Sequence, residues 1–249
     1  MTLEHCRELQ KLFPIQKPGP IICAHRGGKE NVPENTIAAF QQSANSGIHC
    51  MENDIQLTKD NQIIILHDET LDRTTNGKGA IREMTLKDIQ NIDFGSWYDT
   101  KFKEERVPTL KKFLTICQGV PLIEIKKYNA YSEKLETTLI SELKYCGRLY
   151  SSIIHSFDLD VLQRLHHLDN NLLLAYIVEE TPPEIPDWVG GIHPNKDLLT
   201  VEALANWREQ GLWVAAWTYC NPSEFSNAEL HPDILITDIP LKAKQLLNL

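Results

Sequence analysis

Ile21-Ile22-Cys23-Ala24, a short β-rich run, is followed by an amphipathic pattern over Asn35–Ser46 and a second candidate strand over Ile48–Ile55. Strand, helix and strand in that order form a unit whose strands lie parallel, joined by a right-handed crossover. The alternation continues along the chain. Further strands are expected at Leu122–Ile125, Ser152–His155, Leu172–Ile177, Val189–His193, Trp213–Trp217 and Ile234–Thr237. Helical patterns fall at Ser132–Tyr145, Leu159–Leu168, Thr200–Gln210 and Leu241–Leu247. Eight strands in 249 residues favour an α/β fold closed as a (β/α)8 TIM barrel over an open doubly wound sheet. No G-x-G-x-x-G follows a strand, so a dinucleotide fold has no positive support.

Length agrees with one domain spanning residues 1–249. Lys+Arg number 25 against 34 Asp+Glu, a net charge of −9, which argues against nucleic acid as a partner. Hydrophobic residues at 42% supply a sizeable core. The apolar run Leu212–Trp217 is far short of the ~20 residues a membrane span needs, so no stable membrane insertion is expected. Met1-Thr2-Leu3-Glu4-His5 lacks the basic and apolar regions of a signal peptide. Cys6, Cys23, Cys50, Cys117, Cys146 and Cys220 show no C-x-x-C spacing and read as reduced thiols, consistent with a cytoplasmic location.

The alternation breaks after the second strand. Ile55-Gln56-Leu57-Thr58 and Ile63-Ile64-Ile65-Leu66 flank Lys59-Asp60-Asn61-Gln62, the signature of a hairpin. A turn centred between Asp60 and Asn61 places Asp54 opposite His67. The segment from about 71 to 107 holds Asn76-Gly77-Lys78-Gly79 and a short helical pattern at Thr85–Asn91, and reads as a small insertion over the barrel mouth.

Residues at the C-terminal ends of barrel strands converge on one mouth. The first strand delivers His25-Arg26-Gly27-Gly28, the second Glu52-Asn53-Asp54, the hairpin His67-Asp68 and the third Glu124-Ile125-Lys126. Glu52 and Asp54 share a strand face, as do Glu124 and Lys126. Three carboxylates facing one another need a counter-charge, and an all-oxygen set favours Mg²⁺ or Ca²⁺. Arg26 and Lys126 suit an anionic substrate, and two histidines suit proton transfer to and from oxygen. Together these groups describe phosphodiester cleavage. His155 and His193 also fall near strand ends and read as packed or solvated histidines.

The sequence resembles the glycerophosphodiester phosphodiesterase family, in its cytoplasmic bacterial type, from about Ile21 to Pro240. The resemblance is carried by His25-Arg26-Gly27-Gly28, Pro33-Glu34-Asn35-Thr36, Glu52-Asn53-Asp54, His67-Asp68-Glu69-Thr70-Leu71-Asp72-Arg73-Thr74-Thr75-Asn76-Gly77, Phe94-Gly95-Ser96-Trp97, Glu124-Ile125-Lys126, Ser156-Phe157, Ala216-Trp217-Thr218 and Thr237-Asp238-Ile239-Pro240. It implies hydrolysis of glycerophosphodiesters to sn-glycerol 3-phosphate and an alcohol. It also implies His25 and His67 as the acid/base pair, and one divalent cation on Glu52, Asp54 and Glu124. Arg26 and Lys126 would meet the phosphate, and Trp217 would line the glycerol pocket. Pro33-Glu34-Asn35-Thr36 would close the loop after the first strand and cap its helix. Two departures stand out: Asp60-Asn61 where the family usually has Asp-Gly, and Cys220 where it usually has Asn.

Three rivals follow. A related barrel phospholipase acting on lysophospholipids needs an apolar mouth, for which Trp97, Tyr98 and Phe102 are few. A glycosidase pairing Glu52 with Glu124 leaves the histidines, Arg26 and Lys126 without a role. A catalytically silent phosphodiester-binding barrel does not need His25 and His67 together with the carboxylates.

Overall fold

The computed structural model describes residues 12, 19–126, 133–182, 184–226 and 230–249, so Met1–His5, Cys6 and Ser132 lie outside the described residues. The apolar runs form β1 (Ile21–Ala24), β2 (Cys50–Leu57), β3 (Ile63–Ile65), β4 (Val120–Ile125), β5 (Ile153–Ser156), β6 (Leu173–Val178), β7 (Gly191–Pro194), β8 (Trp213–Tyr219) and β9 (Ile234–Thr237). Every strand but β3 pairs in parallel with its neighbours in the order β1-β9-β8-β7-β6-β5-β4-β2. The register Cys23↔Cys50 and Ala24↔Met51 between β1 and β2 closes the ring. The fold is the expected (β/α)8 barrel.

Alternation along each strand separates two apolar layers. Ile22, Met51, Ile123, Ile154, Leu174 and Val214 pack outward among Phe40, Phe113, Leu139 and Leu162 of the surrounding helices. Cys23, Cys50, Leu122, Ile153, Leu173, Trp213 and Ile236 fill the interior. Each fully buried side chain of Leu or Phe size stabilises the fold by roughly 1.5–3 kcal/mol. Higher in the barrel the interior positions become ionisable: Glu52 and Asp54 follow Cys50, Glu124 follows Leu122, and His155 follows Ile153.

Helices occupy Ile37–Asn45, Glu133–Tyr145, Leu159–Leu168, Val201–Glu209 and Pro240–Leu246, each close to its expected range. A further helix, Leu110–Ile116, was not expected. Thr109 caps it by accepting from the Lys112 N–H, and Leu110, Phe113 and Leu114 bury one face at i, i+3 and i+4. The cue was present in Pro108-Thr109, but seven residues behind a long irregular segment give a weak periodic signal.

The hairpin differs from expectation by one residue. Ile55 pairs with Ile65 and Leu57 with Ile63, and the Leu66 N–H donates to Asp54 O, so Asp54 faces Leu66 and His67 lies one step beyond. The Thr58 N–H donates to Gln62 O, enclosing a three-residue loop, and Asn61 takes φ 59°. A turn followed by a left-handed residue fits a three-residue loop, whereas centring on Asp60–Asn61 supposed an even one. Residues 71–107 hold a helical turn at Ile81–Glu83 and a short helix at Leu86–Ile89 with a Thr85–Asp88 capping box. Leu71, Ile81, Ile89 and Phe94 from this segment pack with Ile64 and Leu66 as a separate apolar cluster.

Candidate active site

After β1 the backbone turns sharply through left-handed residues: Arg26 at φ 52°, Gly27 at 81° and Gly28 at 89°. Gly27 is required here, since a Cβ would lie 2.8 Å from Phe40. The turn aims the Arg26 N–H at Glu52 Oε2, 2.7 Å away. The Arg26 guanidinium donates to Glu34 Oε1 at 2.8 Å and lies 3.4 Å from Asp54 Oδ2. Asn35, itself at φ 54°, donates its amide to Asp54 Oδ2 at 2.7 Å. Thr36 then caps the helix at Ile37, as the Pro33–Thr36 motif implied.

Lys126 bridges Asp54 Oδ1 and Glu124 Oε1, at 2.6 Å from each. Ser156 secures this strand end by donating to Ile125 O. Glu52, Asp54, Glu124 and Lys126 are all buried, and their charges set one another's protonation. Burial alone would raise the Asp54 carboxyl, but the cations of Lys126 and Arg26 hold it well below the usual range. Glu52 is pushed well up by burial and by the neighbouring Asp54 and Glu124. Glu124 is raised to about 7 by burial and Asp54, against the pull of Lys126. Burial opposes the Lys126 charge, yet Asp54 and Glu124 raise its pKa.

Both candidate acid/base histidines rest Nδ1 on an aspartate. His25 meets Asp238 Oδ1 at 2.6 Å, and Lys29 approaches the same carboxylate at 3.1 Å. Burial lowers His25 to about 4. His67 meets Asp68 Oδ1 at 2.7 Å, and burial lowers it also, partly opposed by Asp54. Gln56 of β2 holds this loop by donating to the carbonyls of His67 and Asp68. Arg73 clamps Asp68 through Nε and Nη2 and reaches Glu34 at 2.8 Å, so the insertion touches the residue that holds Arg26. Asp68 is consequently lowered to about 2 by Arg73 and His67.

The structure therefore gathers Arg26, Glu52, Asp54, Glu124 and Lys126 through direct contacts, while His25 immediately precedes Arg26 and rests on Asp238 instead. Trp217 stands at the end of β8, half-buried, with its indole N–H on His193 O at 2.8 Å and its ring edge-on to Phe157. Sequence reading gave no role to Asp238, Lys29, Arg73 or His155. Asp238 carried a usable signal, an acidic residue at the C-terminal end of the last strand. Cys220 sits beside it, with Sγ 3.4 Å from Asp238 Oδ2.

The donor set fits a hard divalent cation. Glu52 Oε1 is buried without a hydrogen-bond partner among the described residues, and the raised pKa values of Glu52 and Glu124 mark two carboxylates short of positive charge. Among the described residues, ligand atoms of Glu52, Glu124 and His155 lie within 4.8 Å of one another. His155 and His193 are buried with Nδ1 atoms 3.0 Å apart, and burial lowers both, His193 to about 3. The described cysteines are free thiols, and no helix among the described residues is long and apolar enough to cross a membrane.

Residues 25–242 match the model of the glycerophosphoryl diester phosphodiesterase family. A glycerophosphodiester phosphodiesterase of Caldanaerobacter subterraneus is 34% identical over 239 residues, covering 92% of this chain and 97% of its own. A Bacillus subtilis protein of the same name is 32% identical, covering 82% of this chain and 78% of its own. The structure of an Oleispira antarctica phosphodiesterase in complex with the product sn-glycerol-3-phosphate superposes with a TM-score of 0.83 at 24% identity, covering 92% of this chain and 97% of that one.

Proposed function

The chain belongs to the glycerophosphoryl diester phosphodiesterase family, whose members are phosphoric diester hydrolases, and from that premise we propose that it cleaves glycerophosphodiesters to sn-glycerol 3-phosphate and an alcohol by acid–base catalysis at His25 and His67. The observation that carries the mechanism is the matched pair of imidazoles, each with Nδ1 on an aspartate, beside a buried cluster of Arg26, Lys126 and three carboxylates.

With Nδ1 engaged, proton transfer falls to Nε2 of each ring. His25, lowered to about 4, is neutral near pH 7 and takes the proton of the nucleophile, which is water or else the neighbouring glycerol hydroxyl, whose cyclic phosphate a water then opens. His67 gives a proton to the departing alkoxide, its affinity for that proton raised by the phosphate anion beside it. Arg26 and Lys126 meet the phosphate oxygens, and Trp217 packs against the glycerol half. Glu52, Asp54 and Glu124 would hold Mg²⁺ or Ca²⁺, which supplies Lewis-acid stabilisation of the developing charge. Glu52 and Glu124 retain a deficit of positive charge, which supports these two as ligands, whereas Asp54 is already met by Lys126 and Arg26 and would have to be shared with the ion.

The test compares His25→Ala and His67→Ala on glycerophosphocholine and on a diester with a p-nitrophenol leaving group. Each variant is expected to lose about 10²–10⁴ in kcat on the natural diester. The activated leaving group needs little protonation, so it should rescue His67→Ala and leave His25→Ala inactive. Rescue of the opposite variant would exchange the roles, and wild-type kcat in both would refute them. Chelation should abolish turnover, and full activity in verified absence of divalent ions would refute the cation. Faster turnover of lysophosphatidylcholine than of its deacylated head group would favour the phospholipase rival.

A further inference from the structure

Behind the carboxylates, the barrel interior holds a row of nitrogen atoms that the proposed chemistry leaves unused. Trp213 of β8, His193 of β7 and His155 of β5 are all buried. Trp213 Nε1 is 3.3 Å from His193 Nε2, and His193 Nδ1 is 3.0 Å from His155 Nδ1. The two imidazole rings meet edge to face, 5.0 Å between centroids. Gly191 pairs with Trp213 across β7 and β8, and a Cβ at Gly191 would overlap the indole nitrogen. Glycine is what admits the indole to this position.

The order of donors along the row follows from its first member. An indole N–H only donates. His193 Nε2 must therefore accept, which leaves the His193 proton on Nδ1. That N–H donates to His155 Nδ1, which must be bare, so the proton of His155 resides on Nε2. The reverse order would face two N–H groups across the Trp213–His193 contact. Both rings are neutral in this pattern, since each must offer one bare nitrogen.

His155 Nε2 is buried and has no hydrogen-bond partner among the described residues; Glu52 Oε1 is in the same condition. One ligand atom of His155 lies within 4.8 Å of those of Glu52 and Glu124, a spacing suited to three ligands around one ion. A nitrogen that bears a proton has no lone pair for a cation, however, so spacing and protonation point to different roles. We propose that His155, locked in its Nε2–H form by Trp213 through His193, offers that N–H to the Glu52–Glu124 carboxylate pair, a bond not made in this structure, and that it positions these carboxylates without ligating the ion. The ion-related half of this proposal rests on the reading of Glu52 and Glu124 as ligands; the tautomer does not.

Long-range ¹H–¹⁵N correlation spectra of the metal-free wild-type protein, with signals assigned from His155→Gln and His193→Gln, report which nitrogen is protonated. The expected result is a protonated Nε2 on His155 and a protonated Nδ1 on His193, unchanged when Mg²⁺ or Ca²⁺ is added. A bare His155 Nε2 in either state would overturn the proposal. Calorimetric titration with Mg²⁺ and Ca²⁺ tests the positioning role. His155→Gln keeps an N–H donor near the Nε2 position and should bind within about threefold of wild type, whereas His155→Ala should bind about 10–100-fold more weakly. Equal losses in the two variants would overturn the donor role. Trp213→Phe removes the lock, so a bare imidazole nitrogen can turn to the ion and the preference for Zn²⁺ over Mg²⁺ should rise about tenfold or more. An unchanged preference in folded Trp213→Phe would overturn the lock. A wild type that binds neither Mg²⁺ nor Ca²⁺ would refute the cation reading, and the spectra would still decide the tautomer.

Discussion

His25 and His67 make the same hydrogen bond to an aspartate in very different surroundings. The side chain of His25 is 14% exposed, and its partner Asp238 comes from beyond the last barrel strand, 213 residues away. The side chain of His67 is 32% exposed, and its partner is the next residue. Closure of the barrel orients the first histidine: β1 and β9 pair from Ile21↔Ile234 to Ala24↔Thr237, and the two groups follow directly. The second is oriented by a hairpin and a chain of ion pairs running from Asp68 through Arg73 to Glu34. A histidine set by backbone pairing should tolerate salt and solvent change better than one set by exposed charges.

The sharpest way to break this comparison is to replace each aspartate by asparagine. Asp238→Asn leaves an amide beside a buried imidazole and can hold the wrong tautomer, so kcat should fall by about 10⁴. Asp68→Asn acts on a more exposed ring that can re-orient, and a loss of about 10² is expected. Steady-state kcat on glycerophosphocholine decides it, and equal losses would erase the distinction.

Next comes the pH dependence of stability. Between pH 6.5 and about 4 the unfolded chain binds a proton at His25 that the folded chain refuses. The stability tied to neutral His25 is thus present above pH 6.5 and lost as pH falls to about 4, a contribution of about 3 kcal/mol. His193, at about 3, acts in the same direction. Glu124 acts oppositely: with its folded pKa near 7, its contribution is present below 4.5 and lost as pH rises toward 7. Urea midpoints of wild type and His25→Gln, measured from pH 7 to 4.5, should show the wild type losing more stability on acidification. Parallel curves would place His25 in a more solvated setting than the structure gives it. His67, lowered to a lesser degree, should yield a shallower difference in the same experiment.

The smallest expected effect concerns Arg73, which is 44% exposed. Arg73→Ala should lower kcat about three- to tenfold and change stability by less than about 1 kcal/mol. Raising the salt concentration should bring the wild type toward the variant. A wild type indifferent to salt would show that the ion pairs do not orient His67.

Much of this site was legible in the sequence because strand periodicity fixes which residues share a face. Glu52 with Asp54 and Glu124 with Lys126 needed only a period of two and the rule that strand ends converge. His67 was assigned to the right loop but the wrong register, because the three-residue turn depends on Asn61 adopting a left-handed conformation, which composition does not dictate. Partnerships across the barrel were less accessible. His25 with Asp238 and His155 with His193 are separated by 213 and 38 residues, and no spacing rule links them. They follow from ring closure and strand register, properties of the assembled sheet. The helix Leu110–Ile116 escaped for a local reason, being too short for its apolar period to repeat.

The pairing of β1 with β9 also has a consequence for synthesis on the ribosome. At about 5–20 residues per second, roughly 10–40 seconds pass between the making of His25 and of Asp238. During that interval the first imidazole has no carboxylate to orient it, and the first strand has no neighbour on that side. A nascent chain that stops short of Asp238 therefore lacks the His25 dyad even when most of the barrel has been made. Orientation of His25 thus waits on the ninth strand, whose end supplies the carboxylate that the first strand lacks until then.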